Sequence, residues 1–223
     1  MHAPLSRLFS ASALAALAFV GTVAQAQAQA PSMPTPPIAE KPVRLRGTLV
    51  RVDANTLTLK ERGGEIVTLA RAPAMPISEV YPIKLSAIQP GSYIGTAAVP
   101  QPDGSQKALE VVVFPEAARG TGEGHFPWDL MPESTMTNAT VSGKAAAPKN
   151  VPGGQQLVLQ YKGGEKTVTV PADVPVVTFK PGNADEKALL VPGAKVLVNA
   201  QLKDGQPVAL RVNVGRNGFT PPM

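Results

Sequence analysis

Residues 56–71 read Thr-Leu-Thr-Leu-Lys-Glu-Arg-Gly-Gly-Glu-Ile-Val-Thr-Leu-Ala-Arg, and the same design returns at 157–170 as Leu-Val-Leu-Gln-Tyr-Lys-Gly-Gly-Glu-Lys-Thr-Val-Thr-Val. Leu57 and Leu59 alternate with Thr58 and Lys60, the period-two pattern of a strand with one wet face. Gly63-Gly64 is a hairpin signal, and Ile66, Val67 and Leu69 return along a second strand. Upstream, residues 43–52 are rich in leucine and valine, are broken by Gly47 and end at the turn formers Asp53 and Asn55. Downstream, a weakly helical stretch at 84–88 precedes Pro90-Gly91. Strands are then expected at 92–99 and 107–114 around a Pro102-Asp103-Gly104 turn.

The second half repeats this order. Leu57-Thr58-Leu59-Lys60 answers to Leu157-Val158-Leu159-Gln160, and Pro90-Gly91 to Pro192-Gly193. Asp103-Gly104 answers to Asp204-Gly205, and Ala108-Leu109-Glu110-Val111 to Ala209-Leu210-Arg211-Val212. Leu45-Arg46-Gly47 aligns with Val141-Ser142-Gly143, and a glycine inside both first strands reads as a bend that lets one strand serve two sheets. Three strands, a short helix and two strands make a small five-stranded OB-like barrel. The expected fold is all-β: two tandem OB-like barrels at 43–114 and 138–215, joined by an irregular linker at 115–137, with a flexible tail at 216–223.

The run Arg46-Gly47-Thr48-Leu49-Val50-Arg51-Val52-Asp53-Ala54-Asn55-Thr56-Leu57-Thr58-Leu59, followed by Pro90-Gly91-Ser92-Tyr93-Ile94, resembles secreted bacterial domains of unknown function built from OB-like barrel repeats. The resemblance covers 43–114 and, more weakly, 138–215. It implies a fold and no catalytic residues. Similar chains with a His-Phe-Pro-Trp-Asp-Leu-Met-Pro linker are sometimes labelled metal ABC transporter permeases, which conflicts with the lack of a long apolar segment after the leader.

That leader is residues 1–30. Arg7 supplies a basic start, 11–23 is apolar but short of the roughly 20 residues of a spanning helix, and overlapping Ala-x-Ala sites lie between Ala24 and Ala30. A cleaved signal peptide and a periplasmic or secreted product are expected, with 31–42 as a proline-rich tether. The 223 residues include no cysteine, which excludes thiol nucleophiles, disulfides and zinc ribbons. A formal charge of +5 spread over the chain, with no aromatic platform on strands two and three of the first copy, argues against nucleic acid. No catalytic constellation or cofactor motif is present, so a non-enzymatic binding or structural module is expected, its partner an envelope protein or a small ligand.

The linker carries the unusual residues. It holds the sole tryptophan, Trp128, and one of two histidines, His125, in an acidic stretch between mildly basic copies. Phe126 and Trp128 are candidate binding anchors, or a latch that packs between the barrels. The alternative is a copper, zinc or nickel site in which Glu123, His125, Asp129 and Glu133 converge, with Met131 and Met136 as softer ligands.

Overall fold

In the computed structural model, residues 42–146 and 151–222 are described. The expected signal peptide, nearly all of the tether, and residues 147–150 lie outside them. The chain is all-β. Its strands are β1 (Val43–Val52), β2 (Thr56–Glu61), β3 (Ile66–Arg71), β4 (Ile77–Pro82), β5 (Tyr93–Pro100), β6 (Gln106–Val113), β7 (Gly124–Pro127), β8 (Thr135–Ala146), β9 (Gln155–Tyr161), β10 (Gly164–Val170), β11 (Val176–Pro181), β12 (Lys195–Lys203) and β13 (Gln206–Gly215). Among the described residues no helix is long and apolar enough to cross a membrane.

The ladders close differently from two tandem copies. One ring runs β5–β6–β10–β9–β8 and back to β5, a five-stranded barrel built from one continuous stretch of chain. The other runs β1–β2–β3–β13–β12 and back to β1, joining the first strands of the chain to the last. Each ring contains one parallel contact, β6 with β10 and β3 with β13. In sequence, the strands of this inner barrel lie between the first three and last two strands of the outer one, and the expected units 43–114 and 138–215 each contribute strands to both.

The exchange follows from β4. Rather than folding back, residues 77–82 run extended and pair antiparallel with β11, Val80 opposite Phe179, while β4 also lies parallel to β13 and β11 parallel to β6. This crossed pair carries the chain from one ring into the other and back.

The Pro-Gly turns seal the exchange. Gly91 and Gly193 sit at φ 88° and 90°, a backbone region that glycine enters without steric cost. Gly193 N–H donates to the Leu49 carbonyl and Gly91 N–H to the Val141 carbonyl, each at 2.8 Å. Leu49 and Val141 are therefore equivalent, and both are followed by a bulge, at Val50 and at Ser142. The alignment of Gly47 with Gly143 is corrected accordingly: the recurring irregularity is the bulge, not the glycine. Gly47 faces a close approach instead, because a Cβ there would overlap the Lys60 carbonyl, whereas a Cβ at Gly143 meets Val158 at 3.4 Å, an ordinary contact.

Each ring has its own core. Leu49, Leu57, Leu59, Leu69, Val198 and Val212 fill the outer barrel. Ile94, Val111, Val141, Leu157, Leu159 and Val168 fill the inner one. The tail expected to be flexible is packed: Arg216–Gly218 forms a 3₁₀ turn and Pro221 is buried.

Candidate functional site

The segment 115–137 is a strand and hairpin rather than an irregular linker. Glycine at 120, 122 and 124 and prolines at 127 and 132 disfavour helix, and the stretch 124–127 pairs with β8 instead, Phe126 opposite Met136 and His125 opposite Thr137. Strand alternation sends Phe126 and His125 to opposite faces. The Trp128 backbone N–H donates to the Ser134 carbonyl at 2.8 Å, and the Ser134 hydroxyl donates to the Met131 carbonyl at 2.7 Å, closing the turn.

This hairpin grows from the inner barrel and grips the outer one. The Arg44 guanidinium lies 3.8 Å from the centre of the Trp128 ring. Asp129 accepts hydrogen bonds from Arg44 at 3.3 Å and Arg46 at 3.1 Å. Burial alone would raise the Asp129 carboxyl, but the hydrogen bond and charge of Arg46, with those of Arg44, outweigh it and hold the group below the usual range. These contacts tie Trp128 and Asp129 of the hairpin to β1.

Under the hairpin lies a cavity of about 320 Å³. Its apolar walls come from Phe126, Trp128 and Met136 of the hairpin region and from Val80, Phe114 and Phe179 of the crossed strands and their neighbour. Phe114 stands edge-on to both Tyr93 and Phe179, with ring centres 5.2 and 5.8 Å apart. Polar groups enter from the outer barrel: Arg44, Asn199, Arg211 and Asn213 line one side. The indole N–H of Trp128 is buried and has no hydrogen-bond partner in the described structure, an arrangement costing about 1–3 kcal/mol unless something else accepts it.

The four candidate metal ligands are not brought together. Glu123 accepts the Lys162 backbone N–H at 2.8 Å. His125 shares a 2.9 Å hydrogen bond with the Thr137 hydroxyl and stacks on Tyr161, away from the cavity, and burial, with Lys166 adding to it, holds its pKa below the ordinary value. Asp129 is taken by the two arginines, and Glu133 sits in a left-handed turn position at φ 61°, exposed to solvent. Met131 is exposed at the turn whereas Met136 is buried in the cavity wall. Among the described residues, no three histidine, aspartate or glutamate side chains converge. The expected convergence fails because strand pairing in β7 alternates the side chains and the turn spreads the rest.

Phe126 and Trp128 both line the cavity. Its other walls were not legible in sequence: Arg44, Phe114, Phe179, Asn199 and Arg211 lie on five separate strands or strand ends, brought together by the nested closure. No known protein family, curated protein or solved structure matches the chain.

Proposed function

We propose that this chain is a non-catalytic exported module that binds a small ligand in the cavity between the hairpin and the two rings. The observation that carries the reading is the cavity itself: aromatic and aliphatic walls with a few converging polar groups, in the size range of small-molecule sites. His125 turns away from this space and is bonded to Thr137, which favours binding over acid–base chemistry. The leader at residues 1–30 supports export to the periplasm or beyond.

The neutral dye N-phenyl-1-naphthylamine tests the reading. Its emission is expected to rise saturably with the wild-type chain at micromolar protein. Val80→Trp fills the cavity and is expected to abolish the rise while leaving the circular dichroism unchanged. Absence of saturable binding to the wild type, or full binding to the filled variant, defeats the proposal.

A further inference from the structure

Resting on that binding reading, we infer that the ligand is a small organic anion, an apolar body carrying a carboxylate, with its charge held by a row of three side chains across the outer barrel. Arg44 on β1 is the register partner of Asn199 on β12, and Asn199 is the register partner of Arg211 on β13. Neighbouring strands lie about 4.8 Å apart, so the two guanidinium-bearing positions flank one amide at roughly twice that spacing. All three line the cavity.

The lining is one-sided in charge. It contains two arginines and no acidic residue. Asp129 compensates Arg44 from the hairpin, but it is shared with Arg46. The acid on β4, Glu79, is engaged by Lys180 and Arg216. Arg211 has no acidic partner within salt-bridge distance among the described residues, and its fork of N–H donors is suited to a planar carboxylate.

The remaining polar features agree. The amides of Asn199 and Asn213, which line the cavity, each bring two donors. A neutral apolar molecule would leave these groups unmatched, and a cation would meet two arginines. An apolar acid fills the aromatic end with its body and places its oxygens at the row.

Matched acid and amide pairs separate the charge from the shape: 4-phenylbutyrate against 4-phenylbutyramide, and octanoate against octanamide. Binding to the full chain is read by calorimetry and by Trp128 emission. At low ionic strength each acid is expected to bind at least tenfold tighter than its amide. Arg211→Gln is expected to bring the acid to the affinity of the amide, leaving the amide unchanged, and Asn199→Ala to weaken the acid several-fold. Arg211 is exposed and makes no ion pair among the described residues, so its loss leaves the barrels intact. Equal affinities for acid and amide, or an Arg211→Gln variant that keeps the preference, overturn the anion inference while the cavity reading stands. Failure of every probe to bind overturns both.

Discussion

Glu79 stands on β4 with a side chain only 12% exposed, between Lys180 at 3.0 Å and Arg216 at 2.7 Å, and Arg216 also covers the Tyr81 ring at 3.8 Å. The hydrogen bond from Arg216 is the largest influence on its carboxyl. Burial opposes it, Lys180 reinforces it, and the pKa falls from 4.5 to about 2. A carboxyl depressed on folding contributes stability above its unfolded pKa, and that contribution is lost as pH falls through the folded value. The loss is therefore expected between about pH 4.5 and 2. Because both cations are partly solvated, the contribution is about 1–2 kcal/mol at neutral pH after screening. Glu79→Gln should lower urea stability by that amount at pH 7 and flatten the acid limb of the stability profile. An unchanged profile would remove the ion cluster from the account.

Strands were legible where their partners are local. The hairpin β2–β3 and the pairs β5–β6 and β12–β13 each join neighbours in sequence through a glycine-marked turn, so alternation and turn chemistry suffice to place them. β4 was not legible, because it is bounded by prolines and its partners β11 and β13 lie about 100 and 135 residues away. β7 was hidden by the glycines and prolines that keep it short. A glycine within a strand illustrates the same limit. Gly47 and Gly143 look alike in sequence, yet only Gly47 has a backbone carbonyl where its Cβ would stand. Gly47→Ala is expected to cost about 2–3 kcal/mol and Gly143→Ala about 0.5 kcal/mol or less, compared by urea denaturation. Equal costs would sink the distinction between close approach in β1 and ordinary contact in β8.

At the scale of the molecule, the repeat made the five-stranded unit readable and concealed its partners. Equivalent strands carry equivalent patterns, so β12–β13 and β5–β6 are interchangeable as completions of either ring when judged by alternation alone. The choice lies in β4, whose extended course delivers the chain to the other ring. The nested closure makes an asymmetric prediction. A fragment of residues 83–178 holds every strand of the inner ring together with Ile88, Val111 and Val176 of its core, and is expected to unfold cooperatively by circular dichroism. A fragment of residues 42–119 holds three strands of one ring and two of the other, and is expected to show no cooperative transition. Cooperative folding of the second fragment alone would mean that a copy can close on itself. The candidate site belongs to this scale as well: Phe126 and Trp128 were conspicuous by composition, whereas the arginine–asparagine row became visible only once β1, β12 and β13 were side by side.

The pairing of β1 with β12 and of β3 with β13 also fixes an order of events. A chain delivered amino end first presents β1, β2 and β3 long before β12 and β13 exist to receive them, while the ring of β5 to β10 has all its members as soon as residue 170 has emerged. The interior section is therefore completed first, and the earliest strands wait with Leu57, Leu59 and Leu69 uncovered until the last thirty residues arrive. Loss of β12 and β13 from the carboxyl end would be felt at the opposite end of the polypeptide, in the strands made first.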